Sequence, residues 1–229
     1  MTRNAAPQAR RSRVGAPLPA SFYDRPTEEV ARDLLGTVLE HRTRDGVASG
    51  RIVETEAYIG EHDLACHAAA GKTSRTAPLY GPPGIAYVYF VYGMYWCVNA
   101  VTRAEGEPSA VLIRAIEPVA GIDLMRARRP RARSDIDLTN GPGKLCLALA
   151  IGREQNWSDL RRSALRIRAG NPVPDDDVAI TPRIGITRCA DWPLRWIVRE
   201  NPWVSGRRAT DDGRRTTTTN DRLTTDDGN

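Results

Sequence analysis

Arg51-Ile52-Val53-Glu54-Thr55-Glu56-Ala57-Tyr58 is the stretch on which the fold turns. Read as an extended strand, it sends side chains alternately to two faces. Glu54, Glu56 and Tyr58 then share one face, and Val53, Thr55 and Ala57 share the other. A face with two acids and a phenol belongs either to a solvated edge strand or to the wall of a site, because buried carboxylates need partners. The alternation separates neither these two cases nor Glu54 from Glu56.

The neighbours of this strand extend the pattern. Asp45-Gly46 marks a turn, preceded by a strand over Thr37–His41. Residues 24–36 predict a helix, with Asp24 as cap, Glu28 and Glu29 in the first turn, an apolar stripe of Val30, Ala31, Leu34 and Leu35, and Gly36 as the stop. Residues 61–86 form a long Gly/Pro-rich connection, a length that in a compact domain signals function or mobility.

Residues 86–101 predict two aromatic strands around a turn at Tyr92-Gly93-Met94, with Tyr92 projecting from the tip. A greasy core hairpin would satisfy the strand propensities. It would not call for Tyr87, Tyr89, Tyr92 and Tyr95, because each buried hydroxyl needs a partner. Aromatic faces suit stacking on bases, and an aromatic wedge at a tip suits insertion between base steps.

Farther along, Ala110–Ala115 predicts a strand carrying Arg114, and Pro118–Arg129 a helix. Asn140-Gly141-Pro142-Gly143-Lys144 opens a helix through Ala150, whose start offers N–H groups and a cation to a phosphate. The runs 165–168, 184–186 and 194–198 predict strands that close the sheet, and Pro202-Trp203-Val204-Ser205 ends the folded part.

The formal net charge of +5 does not by itself argue for nucleic acid, since residues 21–205 hold 24 basic and 23 acidic side chains. Residues 1–20 read as a disordered basic tail, 21–205 as one folded domain, and 206–229 as a low-complexity disordered tail. The widely spaced Cys66, Cys97, Cys146 and Cys189 read as reduced thiols rather than a disulfide frame. Cys66 beside His67 lacks the further ligands that zinc requires, so neither metal nor cofactor is expected. Gly71-Lys72-Thr73 resembles the end of a P-loop, but the first glycine would fall on Cys66, which disfavours a phosphate-ester hydrolase. No apolar run reaches transmembrane length.

Several stretches taken together resemble the alkyladenine (3-methyladenine) DNA glycosylases of the mammalian type. They are Gly50–Tyr58, His67, Gly84 with Tyr87-Val88-Tyr89, Tyr92-Gly93-Met94-Tyr95, Asn99, Leu112–Pro118, Gly141–Cys146 and Pro202–Ser205, spread over roughly residues 20–205. Their order and spacing carry the specificity. The resemblance implies a monomeric α+β domain around a curved antiparallel sheet, with flanking helices and a hairpin that enters DNA. It also implies a monofunctional enzyme that excises alkylated or deaminated purines from double-stranded DNA. In that pattern Glu56 is the general base, with Arg114 near the catalytic water. Tyr58, His67, Tyr89 and Asn99 form the base pocket, and Tyr92 fills the gap left by the flipped nucleotide. Lys144 is read as a phosphate contact. The competing class is a non-catalytic binder of damaged or distorted DNA, against which an intact Glu56 facing a polyanion argues. The expected location is the cytoplasm, beside the nucleoid in a bacterial-type cell, or the nucleus in a eukaryotic one.

Overall fold

The computed structural model describes residues 14–206. The parts of the two expected tails before residue 14 and after residue 206 lie outside the described residues. Residues 14–20, assigned by composition to the basic tail, run beside the strand at 165–168. There the Gly15 N–H donates to the Ala169 carbonyl and the Leu18 N–H to the Ile167 carbonyl.

Helices α1 (Ala20–Tyr23) and α2 (Thr27–Asp33) lead into β1 (Val38–Thr43) and β2 (Gly46–Ile59). After the long connection come β3 (Ala86–Val91), β4 (Tyr95–Val101), β5 (Ser109–Ala120), α3 (Ile122–Arg128) and α4 (Pro142–Ala148). Short strands β6 (Leu165–Arg168), β7 (Val178–Thr181) and β8 (Arg195–Val198) follow. All recorded strand pairs are antiparallel. The sheet runs β3-β4-β5-β2-β1-β6, with β8 joining β2 and β7 joining β8. The class is α+β, as the resemblance implied, but the sheet stays open instead of closing, since its end strands β3 and β6 do not pair.

The long strand is the axis of this sheet. Its first half pairs with β1 and its second half with β8, while β5 runs along the other edge. The change of partner coincides with two compensating bulges. Ile52 lies opposite Ile116, Glu54 opposite Ala115 and Thr55 opposite Ile113, which leaves Val53 and Arg114 as extra residues. Bulges re-aim side chains and bend the strand that carries them. The apolar stripe of α2 is buried as its spacing predicted, and the Thr55 hydroxyl donates to the Ala31 carbonyl at 2.8 Å. One face of β2 thus packs on α2, leaving Glu54, Glu56 and Tyr58 on the other.

Three expectations need correction. The helix expected over 24–36 spans only Thr27–Asp33: Pro26 stands at its N-cap without a side-chain cap, and Asp24 is instead the C-cap residue of α1, which lies before that span. The missing N–H of Pro26 prevents α1 from running on. The helix expected from Pro118 begins only at Ile122, because β5 continues to Ala120 with Pro118 opposite Gly50. Gly121 makes the break at φ 74°; a Cβ there would sit 2.3 Å from the Val47 carbonyl oxygen. Residues 184–186 are a loop, not a strand. The pairing of β7 stops at Thr181, and the next residue, Pro182, has no N–H for the ladder.

Candidate active site

A cavity of about 400 Å³ opens on the acidic face of β2. Tyr58 from β2, Tyr87 and Tyr89 from β3, Cys97 and Asn99 from β4, and Leu112 and Arg114 from β5 form its sheet side. Cys66 and His67 from the long connection, Pro142 and Gly143 from α4, and residues 184–186 complete the wall. Tyr92 and Tyr95 stand at its rim.

Both glutamates are fully buried, yet their surroundings differ. Glu54 Oε1 accepts from Arg114 Nε at 2.9 Å, Arg195 Nε at 2.7 Å and Ser205 Oγ at 2.8 Å. Its Oε2 accepts from the Ser205 N–H at 2.6 Å. Glu54 is thereby enclosed. Glu56 Oε2 accepts from the Tyr58 hydroxyl at 2.9 Å and Arg114 Nη1 at 3.1 Å, and its Oε1 accepts from the Ile184 N–H at 2.8 Å. Those three partners all line the cavity, and a carboxylate has roughly four lone-pair sites. Glu56 does not itself line the cavity, but all of its partners do, whereas of the partners of Glu54 only Arg114 does. Burial opposes charge on Arg114, but Glu56 and Glu54 outweigh it and hold its pKa above the usual value.

The aromatic wall is tightly built. The Tyr87 and Tyr89 rings lie 5.2 Å apart, and the His67 ring meets Tyr89 edge-on at 4.5 Å. His67 Nδ1 and the Tyr87 hydroxyl are 2.8 Å apart. Burial, then the charge of Arg75, lowers the His67 pKa, so the imidazole is neutral at pH 7. Burial pushes Tyr87 up to about 12 and the Cys66 and Cys97 thiols to about 11. It also carries Tyr58 and Tyr89 above the usual phenol range, with Glu56 adding to the shift at Tyr58. The phenols, thiols and imidazole of this wall are uncharged at neutral pH. A flat cation meets π-faces there, and the positive charge of Arg114 in the same wall is paired with Glu54 and Glu56.

Asn99 is buried and donates from Nδ2 to the Tyr87 carbonyl at 3.0 Å. Tyr92 sits at the hairpin tip at φ 52°, with Gly93 following at φ 66°, and the Met94 N–H bonds the Val91 carbonyl. This is the turn type of a tight hairpin. A tyrosine there bears left-handed strain of roughly 1 kcal/mol while 77% exposed, so packing does not explain its presence. Lys144 lies at the start of α4, but its Nζ is engaged by Asp137 at 2.6 Å and Asn140 at 2.7 Å.

Three groups escaped the sequence. Arg195 and Ser205 clamp Glu54 from far along the chain. The loop at 184–186 supplies both a wall and the amide that fixes Glu56. Asp63 and Arg183 form a fully buried ion pair behind Tyr58. Pro202–Ser205 figured in the resemblance, but nothing local gave the role of any of these residues, because each acts through a tertiary contact.

Residues 21–202 match the methylpurine-DNA glycosylase (MPG) family. Similar proteins that carry the name "Putative 3-methyladenine DNA glycosylase" include three from different organisms. That of Koribacter versatilis is 48% identical over 197 residues, covering 84% of this chain and 95% of the relative. That of Myxococcus xanthus is 49% identical over 191 residues, covering 82% and 93%. That of Methanocella arvoryzae is 48% identical over 193 residues, covering 83% and 96%. No helix among the described residues is long and apolar enough to cross a membrane. The chain belongs to the methylpurine-DNA glycosylase family and is a DNA glycosylase of DNA repair.

Proposed function

We propose that this protein, working as a monomer through residues 21–205, excises methylated and deaminated purines, 3-methyladenine among them, from duplex DNA. The observation that carries this is the buried Glu56 carboxylate, tied to Tyr58, Arg114 and the Ile184 amide, three residues that line an aromatic cavity. A base inside a duplex must leave the stack before its glycosidic bond can be reached. Tyr92 enters the helix and fills the gap, offsetting part of the unstacking cost. The cavity volume sits toward the lower end of the roughly 300–1,000 Å³ range of small-ligand sites, in keeping with a single extruded base.

Tyr58, His67 and Tyr89 hold the extruded ring. An N3- or N7-alkylated purine is a cation and a ready leaving group, so gripping it between π-faces also favours the reactive species. Asn99 stands against the 2-amino group of normal guanine. Glu56 orients and deprotonates water for attack at the anomeric carbon and steadies the positive charge that develops on the sugar. Arg114 keeps that carboxylate in place. Lys144 meets a DNA phosphate with the donor capacity its ion pair leaves. An amine nucleophile is required for strand cleavage through a Schiff base. Lys144 is held by Asp137 and Asn140, and Lys72 lies over the Tyr80 ring, so hydrolysis stops at the abasic site.

Product analysis tests this directly. Incubation with methylated duplex DNA is expected to give free methylpurines and alkali-labile abasic sites, with oxygen from labelled water at the sugar. Borohydride trapping of a covalent protein–DNA adduct, or binding without release of base, would contradict it.

A further inference from the structure

The buried Asp63–Arg183 pair has no task in the scheme above. Both side chains are fully buried, and Arg183 Nη2 donates to Asp63 Oδ1 at 2.8 Å. Apolar residues of similar volume generally serve stability as well as a buried ion pair does. This pair is not fully satisfied either, since Arg183 Nε is buried without a partner. Its geometry is more informative. Arg183 Nη1 donates to the Ala57 carbonyl at 3.0 Å, and its guanidinium lies 4.7 Å over the Tyr58 ring. The N–H of the next residue, Ile184, donates to Glu56. Arg183 and its neighbour thus hold three consecutive residues of β2: the acid, the carbonyl that follows it, and the phenol bonded to the acid. Asp63 accepts in turn from the Ile59 and Ala65 N–H groups at 3.2 and 3.1 Å, at the root of the wall that carries Cys66 and His67.

We propose that Arg183 is a positioning residue for base excision. Anchored by Asp63, it fixes the Glu56 carboxylate through Tyr58 and the Ile184 amide, and so joins the two walls of the cavity. This rests on Glu56 being the general base. Displacement of a reacting group by about 1 Å can slow a reaction on the order of 100-fold, so the effect belongs to the chemical step and not to DNA affinity.

The test is single-turnover release of 7-methylguanine from a duplex bearing one such lesion. The plateau rate and the half-saturating enzyme concentration are measured for wild type, Arg183→Met, Arg183→Lys, Asp63→Asn and Glu56→Gln, with melting temperature recorded for each. Arg183→Met is expected to lower the plateau about 100-fold with half-saturation unchanged, and Arg183→Lys to recover most of that loss. A purely structural role shrinks the active fraction, which raises half-saturation and leaves the plateau alone; that result overturns the proposal, as does a plateau within two-fold of wild type. If Arg183→Met does not fold, Asp63→Asn decides by the same criterion, its plateau being expected to fall. A fully active Glu56→Gln would instead remove the underlying assignment of the base. An inactive Glu56→Gln beside an unaltered Arg183→Met would sink the positioning role alone.

Discussion

Glu54 and Glu56 stand two places apart on one strand, and their partners give them different work. Glu54 receives four hydrogen bonds from Arg114, Arg195 and Ser205 and ties the Ser205 segment to β2. Truncating it takes from Arg195 the carboxylate it pairs with and leaves Arg114 only Glu56, a defect of about 3–5 kcal/mol. Glu54→Ala is therefore expected to lower the urea midpoint sharply, and an unchanged midpoint would show that the clamp contributes nothing. The alternation along β2 had put both acids on one face, but the choice of Glu56 came from the family resemblance. What one strand could not reveal was the pair of bulges at Val53 and Arg114. They aim the guanidinium between the carboxylates, and they depend on how two strands meet.

At the scale of elements, the aromatic hairpin was legible because strand propensity and a turn signal lie within sixteen contiguous residues, 86–101. Element ends were less so: Gly121 and Pro182 set boundaries through a close backbone approach and a lost ladder bond, and the apolar pattern continues past both. The hairpin divides its labour. Tyr92 is exposed, so Tyr92→Ala is expected to leave stability within about 0.5 kcal/mol while slowing excision from duplex DNA. A melting curve and a rate measurement on the same preparation check this. Tyr95, which pairs with Val91 just beside the turn, is met by α4 instead. A Cβ on Gly143 would lie 2.8 Å from Tyr95 Cβ and Cγ, so glycine lets α4 touch β4. Gly143→Val is expected to cost about 1–3 kcal/mol by overpacking and to displace the cavity rim. A variant with wild-type stability would show that the hairpin yields freely.

Over the whole molecule, the site is a neutral cluster of charges assembled from distant segments, a kind of arrangement composition cannot disclose. Its pH dependence follows from two depressed sets of pKa values. For Asp63, burial acts against ionisation but hydrogen bonds and charge from Arg183 prevail, holding its pKa below 3.8. The stability it contributes is present above that value and is lost as pH falls through the folded pKa. His41 is buried and His67 half-buried, and burial lowers the pKa of each below 6.5, so both are neutral at pH 7.5. As pH drops below 6.5 the unfolded chain takes up these protons first, so folding weakens. The melting temperature is expected to be lower at pH 5 than at pH 7.5, with a smaller difference in His67→Gln; an equal difference in both proteins would contradict the His67 contribution.

The central claim is that one carboxylate, held by a phenol, a guanidinium and an amide, drives removal of the base. It is tested most directly by the single-turnover rate of methylpurine release in Glu56→Gln, a substitution that keeps the size of the side chain. The expected result is a melting temperature close to wild type and a rate lower by about 100-fold or more, the usual scale of general-base catalysis. A correctly folded Glu56→Gln that releases the base at the wild-type rate would contradict the account.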